Sequence, residues 1–300
     1  MKIKFSISKD DFYSNYFEKI PLHLSRIVPS DVYSWSDLSE TIYGVNLTGD
    51  FDIKMHMNGV LGVYQYTEKY QDIYDVKVRI STSRVESLLK DGATLLINRM
   101  DLKDATIASI CHEVSDYLNV KTVANAYAAF GGKGTFGRHW DTHDVIAVQM
   151  IGRKAWKVFP PTLPYPLDHQ KSKYRKDECP EEPSIELVLE QGDALYIPRG
   201  WWHEATPIDA QETFHIAVGL HTAKVTDYVA WIANQILPAM ELARRSFYPF
   251  SEDSRGMIDI AERICQELKR KENQELFLCE MSSLNNEYKK IEFDRVIDRK

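Results

Sequence analysis

The chain has 300 residues, 44% hydrophobic and 27% charged, with a formal net charge of −7. That balance suits a soluble globular core with an appendage, and the negative total argues against a nucleic-acid backbone as direct partner. There is no run of roughly 18 apolar residues to span a bilayer and no apolar leader after Met1. The cysteines Cys111, Cys179, Cys265 and Cys279 are scattered without a CxxC pair, so a cytoplasmic protein with reduced thiols and no cysteine zinc site is expected.

In chain order, Phe12, Tyr13, Tyr16, Phe17 and Ile20 follow helical spacing behind Asp10-Asp11 and stop at Pro21. A second short helix fits Ser36 to Tyr43, ended by Gly44. The period then changes to two: Phe51, Ile53, Met55 and Met57 alternate with polar residues, a half-buried strand. Gly62–Tyr66 and Tyr74–Ile80 read as further strands, and Ser83 to Glu86 as a capping box opening a helix that ends near Gly92. Ala93–Asn98 is strand-like, and Ile107, Ile110, Cys111, Val114, Tyr117 and Leu118 trace one face of a longer helix. Strand character resumes over Val120–Phe130, followed by a glycine-rich loop, Gly131 to Gly137, that lacks the GK[ST] ending of a P-loop.

Arg138 to Trp156 reads as two strands around a tight turn at Ile151-Gly152. Pro160–Pro183 is a charged, proline-rich surface excursion, and Ile185–Leu189, Ala194–Ile197 and Thr213–Leu220 are short strands. Many short strands without regular helix alternation indicate a mainly β core with flanking helices, an antiparallel barrel or jelly roll. Beyond Thr222 the pattern turns helical, with a kink expected at Pro238 and a second stripe of Met257, Ile260, Ile264 and Leu268. Three regions are predicted: an N-terminal helical and strand segment over 1–48, a jelly-roll domain over 49–223, and a C-terminal helical region over 224–300.

Chemistry concentrates in two stretches. In a strand His139 and Asp141 share a face, so an imidazole and a carboxylate can grip one metal ion. The other stretch, Gly192-Asp193 to Pro198-Arg199-Gly200 and His203, makes a turn, a core strand and a sharp re-aiming of the chain that brings His203 inward. Two His and one carboxylate with open positions opposite are the ligand set of non-haem Fe(II) oxygenases. The plainer alternative is a pair of hydrogen-bonded histidines lining a cavity. His143 continues the same face but lies ~14 Å along a strand from His139, too far to share the ion. His215 and His221 read as satisfied core histidines. Lys154 shares a face with Trp156 and Val158; a buried ammonium is costly without an anion, which favours a carboxylate ligand over the alternative of snorkelling to water. Asn125 and Tyr127 share a face near that anion, with purely structural roles equally open.

These motifs resemble the JmjC-type ribosomal oxygenases, the cupin-4 branch of the 2-oxoglutarate oxygenases. The likeness rests on Asn125-Ala126-Tyr127, the HxDxxD run from His139 to Asp144, the Gln-x-x-Gly-x-Lys-x-Trp run from Gln149 to Trp156, and Gly192 to His203. It covers roughly residues 10 to 222. It implies a double-stranded β-helix, Fe(II) on His139, Asp141 and His203, and the distal carboxylate of 2-oxoglutarate on Lys154 supported by Tyr127 and Asn125. O2 is the other cosubstrate, and the activity implied is hydroxylation of a side chain in a protein or peptide, either a ribosomal protein or a natural-product precursor. Ala217 departs from the Ser or Thr that relatives place near the cosubstrate. The helical tail resembles the family's dimerisation region, so a homodimer is expected. Two other readings stand beside this one: a cupin metalloenzyme acting on a small molecule without 2-oxoglutarate, and a non-catalytic interaction protein of the same fold.

Overall fold

Strand β12 (Glu212–His221) shows how the core is divided. Phe214, Ile216, Val218 and Leu220 lie on one face and are at most 1% exposed; His215, Ala217, Gly219 and His221 lie on the other. The first face joins the main hydrophobic core, and the opposite face borders a cavity between two sheets.

The structure, a computed structural model, describes residues 3–44, 52–131, 136–209, 211–247 and 254–283. The chain divides into two compact units, Met1–His221 and Thr222–Lys300. The elements of the first, in order, are α1 (Lys9–Asn15), β1 (Leu22–Leu24), α2 (Trp35–Gly44), β2 (Ile53–His56), β3 (Thr67–Gln71), β4 (Val76–Ile80), α3 (Thr82–Lys90), β5 (Thr94–Ile97), α4 (Ala105–Leu118), β6 (Lys121–Phe130), β7 (Asp144–Ile151), β8 (Lys154–Phe159), β9 (Ile185–Leu189), β10 (Ala194–Ile197), β11 (Trp202–Pro207) and β12. A seven-stranded antiparallel sheet runs β1-β10-β7-β12-β6-β5-β2 and a three-stranded one β11-β8-β9. Ala147, Leu195 and Ile197 of the large sheet pack against Trp156, Val158 and Leu189 of the small one. This is a double-stranded β-helix, or jelly roll, with helices on the outer face of its larger sheet.

Local chemistry explains several elements. The Asp104 carboxylate accepts the N–H groups of Thr106 and Ile107 at 2.8 and 3.0 Å, starting α4, and Asn119 ends it in a left-handed conformation. Ile107, Ile110, Cys111, Val114 and Leu118 are the buried stripe of that helix. The N-terminal segment is built into the same unit: β1 pairs with β10, and Phe12 packs edge-on against Tyr196.

Four sequence expectations are corrected. Ile151-Gly152 does not close a hairpin, because β7 and β8 belong to different sheets; the turn is a corner between them. Gly152 has φ +67°, and a Cβ there would lie 2.4 Å from the Glu212 carbonyl oxygen, so the bend needs glycine. Val63–Gln65 is a 3₁₀ turn rather than a strand, and the partner of β4 is β3. Helix α3 starts after Ser81, which makes no side-chain capping bond, so Ser83 to Glu86 is not its cap. The helix expected up to Ile20 stops at Asn15. Phe51, the glycine-rich residues Gly132 to Thr135 and the tail beyond Ser283 lie outside the described residues.

The C-terminal unit contains α5 (Val225–Trp231), α6 (Ser254–Lys269) and α7 (Lys271–Ser283). A π turn over Ile232–Ile236 and a 3₁₀ turn at Leu237–Ala239 break the helix around Pro238. Glu267 is 1% exposed and is held by Arg263, Arg270 and Asn273 at 2.7, 3.1 and 2.6 Å, which fixes the corner between α6 and α7.

Candidate active site

His139 and His203 are joined by their backbones. The N–H of His203 donates to His139 O at 2.8 Å, and the N–H of His139 donates to His203 O at 3.1 Å. Residues directly opposed in an antiparallel bridge project to the same side, and the ring centroids lie 4.3 Å apart. The expected strand through His139 and Asp141 is therefore only this isolated bridge: β7 begins at Asp144, and Asp141 is presented from a bend pinned by the Gly200 N–H to Asp141 O bond of 3.0 Å. Gly200 has φ +86° and approaches Leu163 O so closely that a Cβ would sit 2.6 Å from it. That turn delivers His203.

Ligand atoms of His139, Asp141 and His203 lie within 4.8 Å of one another. Each imidazole presents its Nδ1 to a backbone carbonyl, Gly137 O at 2.9 Å and Trp201 O at 3.1 Å. Nδ1 then carries the proton, and Nε2 keeps a free lone pair for a metal. Burial holds His203 below the ordinary imidazole range, which keeps it neutral. Burial also pushes the Asp141 carboxyl up, but the facing imidazoles of His139 and His203 outweigh it and keep the group below its usual value. A tautomer-fixed pair of histidines beside an ionised carboxylate fits a divalent metal of the Fe(II) type.

Lys154, Trp156 and Val158 of β8 face inward, opposite Pro207, Ala205 and His203 of β11. The cavity they line continues to Tyr127, His215 and Ala217. The metal end lies at Val158 and His203; Lys154 is four residues away on the same face, ~13 Å along the strand. Lys154 is 4% exposed, and burial brings its ammonium down to about 7. Among the described residues its one hydrogen-bond partner is His215 Nδ1 at 3.4 Å. Trp156 Nε1 is buried with no partner, and burial, with Asp141 adding to it, raises the Tyr127 hydroxyl. A buried ammonium with no carboxylate partner beside an unpartnered indole N–H fits an anion. Asn125 does not line the cavity; its Oδ1 accepts the Arg99 N–H at 3.1 Å, and its side chain hydrogen-bonds Tyr127. Ala217 lines the cavity with a methyl group alone.

Several residues escape the sequence reading. His215 is a cavity residue rather than a satisfied core histidine, and the signal was available in its parity with Ala217 against Phe214 and Ile216. His143 is off the strand and stacks on His221 at 4.9 Å, and the metal cluster does not include it. Trp202 is fully buried with Trp140 and Phe159, a packing role. Asp144 accepts the Tyr196 hydroxyl at 2.7 Å and the Arg199 N–H at 2.8 Å, tying the strand after Asp141 to the turn before His203. Gln149 Nε2 donates to Ile151 O, Thr213 Oγ1 and Phe214 O, stapling an irregularity in the β7–β12 register between Phe214 and His215.

With the jelly roll and the His-Asp-His cluster in place, residues 96–228 match the JmjC domain family. In sequence and fold the chain is similar to the JmjC ribosomal oxygenases. It is 24% identical over 217 residues to the bifunctional lysine-specific demethylase and histidyl-hydroxylase NO66 of Aedes aegypti, covering 71% of this chain and 33% of that protein. It is 26% identical over 215 residues to ribosomal oxygenase 1 of Gallus gallus, covering 70% and 34%. The chain thus matches about a third of the length of these curated relatives. Among solved structures, the Escherichia coli ribosomal oxygenase YcfD in complex with cobalt and 2-oxoglutarate shares the fold with a TM-score of 0.59 and 18% identity, over 94% of this chain and 72% of that one.

Proposed function

We propose that this chain is an Fe(II)- and 2-oxoglutarate-dependent oxygenase that hydroxylates a side chain of a protein substrate. The observation that carries the reading is the buried, uncompensated Lys154 in the same cavity as the His139, Asp141 and His203 cluster. An enzyme needing only a metal has no use for a cation at that depth, whereas a diacid bound at its other end to the metal supplies the missing charge. His139, Asp141 and His203 would hold the iron, leaving the positions opposite them for 2-oxoglutarate and O2. When bound, the iron supplies the redox chemistry that oxidises 2-oxoglutarate to succinate and CO2 while oxygen enters a C–H bond. The chain's own residues bind and orient. Lys154 pairs with the distal carboxylate, Tyr127 stands beside it, and the apolar walls of Val145, Ala205 and Pro207 exclude water.

The relatives' names, histidyl-hydroxylase and ribosomal oxygenase, support a ribosomal protein as substrate; a peptide natural-product precursor is the other peptide class. A cytoplasmic homodimer is part of the same proposal, and the C-terminal unit exposes Met257, Ile258, Leu276 and Leu278. Among the described residues no helix is long and apolar enough to cross a membrane.

Anaerobic protein loaded with Fe(II) and 2-oxoglutarate, then exposed to O2, should release succinate, and mass spectrometry of co-purified peptides should find a hydroxyl-sized increment absent with His139→Ala. No succinate with any candidate peptide would overturn the reading.

A further inference from the structure

We infer that Glu18 and Arg199 are positioning residues for the metal centre. With Tyr196 and Asp144 they close a ring of polar contacts that sets the turn carrying His203 against the bend carrying Asp141. The inference rests on the metal cluster of the proposed function and not on its cosubstrate. The Glu18 N–H donates to the Tyr196 hydroxyl oxygen at 2.8 Å, and that hydroxyl donates to Asp144 Oδ2 at 2.7 Å. The Arg199 N–H donates to Asp144 Oδ1 at 2.8 Å, and Arg199 Nη2 pairs with Glu18 Oε1 at 2.6 Å, closing the ring. Asp144 stands three residues after Asp141, and Arg199 four before His203. Directly beside the ring, the Gly200 N–H reaches Asp141 O, and His203 pairs with His139. Three distant parts of the chain are thus joined at the two segments that bear ligands.

Stability alone does not account for the arginine. Its side chain is 10% exposed, yet Nε and Nη1 are buried without a partner, and each unanswered donor costs free energy. Hydrocarbon in place of the ion pair would serve the fold as well. Glu18 has φ 55°, a left-handed backbone that residues other than glycine seldom adopt. What these two unfavourable features secure together is an orientation. The guanidinium is held at one end by Glu18 and seated over the Tyr165 ring, 5.7 Å from its centroid. A side chain locked there keeps the Arg199 N–H on Asp144, and so fixes the strand after Asp141 to the turn before His203. The pair acts through Asp141 and His203, as the outer partners of metal ligands do.

Anaerobic Co(II) titration of the full chain, followed by visible absorption and set beside thermal melting of the apo-protein, tests this. Arg199→Met keeps the bulk and removes the guanidinium. Glu18→Asn suits the left-handed backbone but is too short to reach Arg199. Each should weaken Co(II) roughly tenfold, the lower end of what outer-shell partners contribute, and alter the Co(II) band. The double variant should lose no more than Arg199→Met, because both changes break one link. It leaves no buried charge unpaired, so it should melt with the wild type; should a single variant not fold, the double variant decides alone. Wild-type Co(II) affinity and spectrum in the double variant, or losses that add across the two sites, would overturn the clamp. A wild-type chain that takes up no Co(II) overturns the metal centre, and the clamp with it. A chain that takes Co(II) but no 2-oxoglutarate overturns the oxygenase reading alone, and the variants still decide the clamp.

Discussion

The two faces of β12 differ in what burial achieves. On the outer face Phe214, Ile216, Val218 and Leu220 meet hydrocarbon, and Phe214 stacks on Tyr33 at 5.3 Å. On the inner face the Lys154 ammonium is buried with only the neutral ring of His215, and no carboxylate, to answer it. The outer face converts burial into stability; the inner face holds desolvated polar groups ready for a ligand, at a cost to the free protein. Substitutions on the two faces should therefore differ in sign as well as in size.

The largest effect is expected at the metal end. Asp141→Ala should reduce succinate formation to background and weaken Fe(II) binding by more than the roughly 10- to 100-fold that loss of an outer-shell partner costs. Anaerobic metal titration with thermal melting would check that the fold survives. Next comes the outer face: Phe214→Ala should destabilise the chain by about 3–5 kcal/mol, read by denaturant unfolding. If the molecules still folded also lost metal affinity, the separation of the two faces would be wrong.

Lys154→Met sharpens the contrast because it acts in opposite directions. Removing an uncompensated buried charge should leave the apo-protein as stable or more so, while 2-oxoglutarate affinity falls roughly 10- to 100-fold. A destabilised apo-protein would mean that Lys154 has a structural role instead.

The smallest effect is in pH. The Lys154 ammonium titrates at about 7 in the fold and near 10.4 in an unfolded chain. Between those values the unfolded state binds more protons, so this group makes stability rise with pH, and below about 7 it adds no slope. Ligand binding has the opposite trend. Above pH 7 the carboxylate must recruit a proton to the amine, so affinity should fall by up to about tenfold per pH unit. Lys154→Met should remove both slopes; calorimetry and melting across pH 6–9 would measure them.

The residue order alone determined most strands of the core and the chemistry of the centre. Many short strands without regular helix alternation pointed to the jelly roll, and His139, Asp141 and His203 could be singled out because few residue types bind a metal. Lys154 stood out because its strand parity placed it with Trp156 and Val158. The tertiary structure alone decided how these groups meet. Local spacing placed His139 and Asp141 on one strand, whereas the fold pairs His139 with His203 through a backbone bridge and presents Asp141 from a bend. It also turned an apparent hairpin into a corner between sheets, and a histidine that read as satisfied into a cavity residue. The physical reason is that alternation reports only which side of a strand a residue occupies. Which strands pair, and whether the space between them is filled, depends on contacts across long sequence separations: Gly152 against Glu212, Gly200 against Leu163, and Lys154 against His215.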